Sequence, residues 1–298
     1  MTNKKRNRKA ARAARKKRKK DAAAEDLLSE VEKNWNPYAK NWSKHADHFR
    51  LTGYYDWMAS FLKQFHRVFE IGTGDGSGTV ALARNGSTVV SVDHNPKCQD
   101  IAEVRLASAG ISTTRERRGK INSVGQGYRM TYSKPMSMVI DGEVLLLEGD
   151  VGNDHDTELS EWLLSSPKFD AIACWNIGTY TALHQSFGTP QEYRLRTQNV
   201  TYELAECILR PGGVLHIIDR GQTPTDSTRA TCIEGLLECH RDQASVTSLL
   251  VDSKSVEARQ FVQPSEDTGI VMKRKDDTDN FQVEAGEMAF WSIIARKP

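Results

Sequence analysis

Residues 68–78 read Val-Phe-Glu-Ile-Gly-Thr-Gly-Asp-Gly-Ser-Gly, with Gly72, Gly74 and Gly76 at alternate positions and Gly78 after them. Glycine reaches positive φ and leaves open the space a Cβ would fill. An apolar run before such a turn and a helix from about Thr79 after it form a strand–turn–helix suited to cradling a nucleotide. A P-loop needs Gly-x4-Gly-Lys-Ser/Thr, yet no lysine lies between Lys63 and Lys97. The dinucleotide fingerprint needs Gly or Ala five positions after its first glycine, where this chain has Ser77. Asp93 stands 21 residues past Gly72, at the end of the β-branched run Thr88–Val92. That is close to the ~20-residue offset of a ribose-binding carboxylate. A cis-diol offers two donors and a carboxylate accepts both. Asn95-Pro96 follows, so a capping role for Asp93 at the next helix is also open, and the two roles are compatible.

Other chemistry-bearing residues fall at the ends of apolar runs. Val144–Leu147 leads into Glu148-Gly149-Asp150-Val151, and Phe169-Asp170-Ala171-Ile172-Ala173-Cys174 leads into Trp175-Asn176. Val214–Ile218 ends in Asp219. His94, His184 and Asp219 are candidate general bases, each competing with a surface or packing role. Asp154-His155-Asp156 reads as a solvated turn and helix cap, and no metal site is expected.

These residues must be positioned by a mixed α/β chain. Helices are expected at about 97–109, 156–165, 197–209 and 227–241, with late strands near 256–262 and 288–295. Tyr128–Tyr132 and Met138–Ile140 read as short strands. Asp141-Gly142 between apolar runs is a hairpin signal joining the second of them to Val144–Leu147. Residues 25–64 form a helical, aromatic-rich segment holding Trp35, Tyr38, Trp42, Phe49, Tyr54, Tyr55 and Trp57. They either pack a helical layer onto the sheet or, at Tyr38, Trp42 or Tyr54, lid a ligand.

The 298 residues allow one sizeable domain with additions, and no apolar run approaches the length a membrane helix needs. The five cysteines are scattered without a Cys-x-x-Cys pair, as in reduced intracellular, cytoplasmic proteins (nuclear import being open for a eukaryotic source). The N-terminus lacks the apolar core of a secretory signal. Lys4 to Lys20 holds twelve Lys or Arg and no acid, leaving 29 basic against 39 acidic residues elsewhere. A basic tail, residues 1–24, is thus joined to an acidic body. Nucleic-acid contact, an address signal and a solubilising arm are its three readings. Arg115, Arg117, Arg118 and Lys120 make a second basic patch.

The run Glu70-x-Gly72-x-Gly74-x-Gly76, taken with Asp93, Asp150, Phe169-Asp170 and Leu209-Arg210-Pro211-Gly212-Gly213-Val214-Leu215, resembles the class I S-adenosylmethionine-dependent methyltransferases. The resemblance covers residues 65–298. It implies a Rossmann-like sheet of seven mostly parallel strands ending in an antiparallel C-terminal pair, and residues at about 112–143, which have no standard counterpart there, read as a β-hairpin insertion before strand three. It implies S-adenosylmethionine as cofactor, with Glu70 at the methionyl ammonium and Gly72, Gly74 and Gly76 beside the amino-acid portion. Asp93 would then take the ribose, Asp150 and Val151 the adenine, and Trp175 and Asn176 would lie near the transferring methyl. No Asn/Asp-Pro-Pro-Tyr/Phe tetrapeptide follows strand four, and no metal-binding aspartate ends it. The acceptor stays open between RNA, or another polyanion met through residues 4–20, and a small molecule. A nicotinamide-dependent oxidoreductase and a non-catalytic RNA-binding adaptor are the alternatives.

Overall fold

The computed structural model describes residues 33, 35–124, 127–152, 156–177, 190–262 and 288–298. The basic tail and His184 lie outside them. Two helices come first, α1 (35–51) and α2 (Tyr54–Ser60). Then follow β1 (Arg67–Ile71), α3 (Ser77–Arg84), β2 (Thr88–Asp93) and α4 (Pro96–Ser108). An insertion carries β3 (Thr113–Glu116), β4 (Gly119–Val124) and β5 (Gly127–Tyr132). The alternation resumes with β6 (Val144–Glu148), α5 (Thr157–Ser165), β7 (Phe169–Trp175), α6 (Pro190–Ile208) and β8 (Leu209–Gln222). The chain closes with α7 (Arg229–Ala244), β9 (Leu250–Val251), β10 (Glu257–Gln260) and β11 (Met288–Arg296).

The sheet runs β10-β11-β8-β7-β1-β2-β6-β3, with β9 paired to β11. Strands β3, β6, β2, β1, β7 and β8 are parallel, and β11 lies antiparallel to β8 and β10. The expected antiparallel C-terminal pair is therefore β10–β11. The described sheet has nine strands rather than seven, because β3 and β9 extend it.

The insertion differs from expectation in detail. Met138–Ile140 forms no strand, and Asp141-Gly142 is a turn that enters β6 alone. The sheet edge is instead covered by β3, pairing Thr113 with Val144 through Glu116 with Leu147. The hairpin is β4–β5, a separate two-stranded sheet. Its Ile121, Met130 and Tyr132 pack with Trp35 and Tyr38 of α1, so the hairpin rests on the N-terminal helix.

Pleat alternation divides the core. Val68, Val89, Leu146, Ala171, Ala173 and Val214 face α2, α3 and α4 through Tyr54, Met58, Leu82 and Leu106. Phe69, Ile71, Val90, Val92, Leu145, Ile172 and Leu215 face α5 and α6 through Leu159, Leu163 and Tyr202. Most of the N-terminal aromatics are packing residues. Phe49 meets Phe290 edge-on at 5.2 Å. Tyr54, a candidate lid by sequence, is buried, and its hydroxyl donates to Gln260 O and accepts from Val262 N.

Candidate functional site

All the parallel strands point their C-terminal ends to one edge, and sheet order reverses between β1 and β7. Open α/β sheets bind ligands at such a switch point. An open cleft of ≈ 470 Å³ lies there, lined by Tyr38, Ile71, Gly72, Asp93, His94, Gly149–Gly152, Ile177 and Thr197 among others.

The glycine turn forms one wall. Gly72, Gly74 and Gly76 have φ of 87°, 54° and 82°, in the left-handed region that disfavours side chains. A Cβ on Gly74 would stand 2.3 Å from Trp42 Nε1, so α1 lies directly on the turn. One on Gly76 would stand 2.8 Å from Ala102 of α4. The turn amides are used internally. Gly72 N and Thr73 N donate to Val92 O, Gly74 N to Asp93 Oδ2, Gly76 N to Thr73 O and Ser77 N to Asp75 Oδ1. Asp75 is buried and paired with Arg105 of α4, whose Nε also donates to Asp75 O and whose Nη2 reaches Asp47 of α1 at 3.1 Å. Burial holds the Asp75 carboxyl above its ordinary pKa, against the pull of Arg105.

The opposite walls carry carboxylates. Asp93 Oδ2 accepts from Gly74 N and Oδ1 from Asn95 N, both at 2.8 Å. Each oxygen keeps a second lone pair. The cap of α4 is Asn95, whose side chain accepts from Lys97 N. Burial raises the Asp93 pKa, and the nearby Asp150 charge adds to the rise. Asp150 Oδ1 accepts from Gly152 N at 3.1 Å and so shapes the loop after β6. Thr197 of α6 lines the cleft with a buried Oγ1 that has no hydrogen-bond partner. Nothing in the sequence singles this threonine out.

Gly72, Asp93, Asp150 and Val151 therefore share one cleft, with Gly74 and Gly76 shaping its glycine wall. Glu70 does not line it. Alternation turns Glu70 to the α3 face, where Oε2 accepts from Thr79 Oγ1 and Ser91 Oγ. Burial there pushes its carboxyl up to about 7. Glu70 thus stands beneath the turn. Trp175 also faces the core, donating from Nε1 to His216 Nδ1 at 3.1 Å. Asn176 is the one non-glycine with positive φ among the described residues, at 48°. Its Nδ2 lies 4.0 Å from Met58 Sδ, and its buried Oδ1 has no partner.

The candidate bases fare unevenly. His94 lines the cleft at its Asp93 end, Nδ1 lying 3.9 Å from Asp93 Oδ1. Asp219 is held by Arg194, by Gln198 Nε2 and by Arg220 N. Asp156 does cap α5, accepting from Leu159 N, but it is buried rather than solvated and holds Arg118 in a two-pronged ion pair. The patch that looked free in the sequence is largely neutralised. Arg115 meets Asp100 and Glu103, and Arg117 meets Asp100. Among the described residues, no group of three or more His, Cys, Asp or Glu is placed to hold a metal, and no helix is long and apolar enough to cross a membrane.

No protein-family model matches the chain, and no curated protein sequence matches it significantly. Similar solved structures include a putative O-methyltransferase from Klebsiella pneumoniae, at 14% identity and TM-score 0.44, covering 83% of this chain and 80% of that one. Another is the O-methyltransferase TomG from Streptomyces achromogenes, solved with SAM, at 13% identity and TM-score 0.44, covering 87% and 90%. A third is the N-methyltransferase NodS from Bradyrhizobium japonicum, solved with S-adenosyl-L-homocysteine, at 14% and TM-score 0.39, covering 78% and 79%. Likeness at this level leaves the chemistry of the site to its own geometry.

Proposed function

We propose that this chain is an S-adenosylmethionine-dependent methyltransferase acting on a small molecule. The observation that carries the reading is the internal use of the turn amides. A dinucleotide site aims such N–H groups at a pyrophosphate. Here Gly72, Thr73, Gly74, Gly76 and Ser77 all donate within the fold, and the Asp75 carboxylate stands at the start of α3. A phosphate would meet carboxylates instead of donors, which disfavours a nicotinamide cofactor. A cleft with Asp93 and Asp150 on its walls suits a ligand rich in donors and carrying positive charge.

The residues present fit that cofactor. Asp93 would accept from the ribose hydroxyls, Asp150 and the Val151 backbone would meet the adenine, and Gly72 would adjoin the amino-acid portion. The unpartnered Thr197 Oγ1 supports a further polar contact. When bound, the cofactor would supply an electrophilic sulfonium methyl for a lone pair of the acceptor. The chain's own part is orientation and exclusion of water. Ile177 and Tyr38 wall the cleft, and Asn176 Oδ1 can accept from an acceptor N–H or O–H. Asp219 acts as a structural partner of Arg194 rather than as a base. A small acceptor is favoured over RNA because Arg115, Arg117 and Arg118 are taken up by internal carboxylates.

Calorimetric titration with S-adenosylmethionine, S-adenosylhomocysteine and NADH tests the reading. Binding of the first two and not the third is expected. Tight binding of NADH alone would overturn it.

A further inference from the structure

We propose that the methyl acceptor carries a carboxylate or phosphate group and that Arg220 holds it. The inference rests on the methyltransferase reading and names the acceptor class.

Strand β8 outruns its neighbour. Trp175, the last residue of β7, pairs with Ile218, and β8 continues to Gln222. Asp219 and Arg220 therefore project beyond the β7 end, beside Asn176, whose N–H donates to Ile218 O. Alternation sends the two side chains to opposite faces. Asp219 turns to α6, where Arg194 and Gln198 bind it. Arg220 follows Ile218 to the face of α2, which carries Tyr55 and Met58, the latter beside Asn176. Its charge acts on the hydroxyls of Tyr38, a cleft-lining residue, and Tyr55.

Arg220 differs from the other arginines near the site. Arg105, Arg115, Arg118 and Arg194 each reach a carboxylate within hydrogen-bond distance. Among the described residues, the Arg220 guanidinium has no ion pair within 4.0 Å, its neighbour Asp219 being engaged by Arg194. Arg220 is exposed, yet enough protein surrounds its guanidinium that desolvation lowers its pKa. The Asp219 charge offsets part of this positive potential and the Arg194 charge adds to it. The C-terminal edge of the sheet is thus acidic at Asp93 and Asp150 and carries Arg220 and Arg194 around the ends of β7 and β8. A guanidinium there offers paired donors matching the planar fork of a carboxylate or two phosphate oxygens.

The test uses the full chain loaded with S-adenosylhomocysteine, titrated in separate arms with acetate and inorganic phosphate and followed by NMR of the arginine side chains. Saturable binding of at least one anion is expected in the wild type. Arg220→Gln should lose it at least tenfold, and Arg220→Lys should keep part of it. The preferred arm distinguishes a carboxylate from a phosphate. Absence of binding by either anion in the wild type, or equal binding by Arg220→Gln, overturns the proposal. Failure of the chain to bind S-adenosylhomocysteine overturns the methyltransferase reading instead, a separate outcome read before any anion is added. Radiolabelled methyl transfer into lysate gives a second readout, with labelled product retained on an anion exchanger and reduced by Arg220→Gln. Label in an uncharged or cationic small molecule counts against the proposal, and label in RNA overturns the small-molecule reading on which it rests.

Discussion

Replacing Arg118 with methionine should destabilise the whole domain and loosen the adenine end of the cleft. Arg118 and Asp156 are both fully removed from solvent, with side-chain exposures of 0% and 0%. The guanidinium donates to Asp156 Oδ1 and Oδ2 at 2.7 and 3.1 Å, to Glu148 O at 2.8 Å and to Ser133 O at 2.7 Å. Methionine fills similar volume but leaves two carbonyls and a carboxylate without these donors. Asp156 would keep only amides, from Leu159 at 3.1 Å and Asp150 at 3.3 Å. Removing one partner of a buried pair costs about 3–5 kcal/mol. With an m-value of about 2–3 kcal/mol/M, the urea midpoint should fall by roughly 1–2.5 M. The double variant Arg118→Met/Asp156→Leu should recover most of this, less about 1 kcal/mol for the lost helix cap. Because Asp156 and Arg118 hold the backbone on both sides of Gly149, affinity for S-adenosylhomocysteine should also fall in the single variant. A loss below about 1 kcal/mol for Arg118→Met would refute the claim that the insertion is pinned by an essential buried charge pair.

Three further outcomes follow from the same geometry. Glu70 has a folded-state pKa of about 7, above the ordinary carboxyl value, because burial disfavours its charge. The folded state then holds its proton longer than the unfolded one, so stability present below the ordinary pKa is lost as pH rises towards 7, by on the order of 3 kcal/mol. Glu70→Gln should match the wild type near pH 4 and exceed it at pH 8 in urea unfolding, and an unchanged pH profile would contradict this. Thr197→Val should leave stability unchanged or slightly raised, since an unpartnered hydroxyl is removed, while weakening S-adenosylhomocysteine binding about three- to tenfold in calorimetry; undiminished binding would remove Thr197 from the site. Gly74→Val should abolish that binding with the far-UV circular dichroism retained, because its Cβ would displace Trp42 from a turn already at positive φ, and retained affinity would count against the placement of the turn.

The strand–turn–helix at residues 68–84 was legible because each signal in it is local. An apolar run, glycines where φ is positive and a following helix need no knowledge of distant residues. The same holds for the strands ending at Asp93, Glu148 and Trp175, and for the α5 cap at Asp156. Strand β3 was not legible. Thr-Thr-Arg-Glu lacks an apolar alternation because it is a partly exposed edge, and only pairing with β6 makes it a strand. The Asp141-Gly142 turn shows the reverse case, a strong local hairpin signal with no second strand beside it.

The resemblance to class I methyltransferases implied the parallel sheet and the place of Asp150, while spacing alone marked the strand–turn–helix, the alternating elements and the acid Asp93. These depend on periodicity and on short separations along the chain. Only the folded structure decided where side chains point and which charges meet. It turned Glu70 beneath the turn, bound Asp219 to Arg194, buried Arg118 against Asp156 and, among the described residues, left Arg220 without an ion pair. Those partners lie 9 to 38 residues apart. A charge in sequence is a charge; whether it is neutralised depends on what the packed elements place within a few ångströms of it.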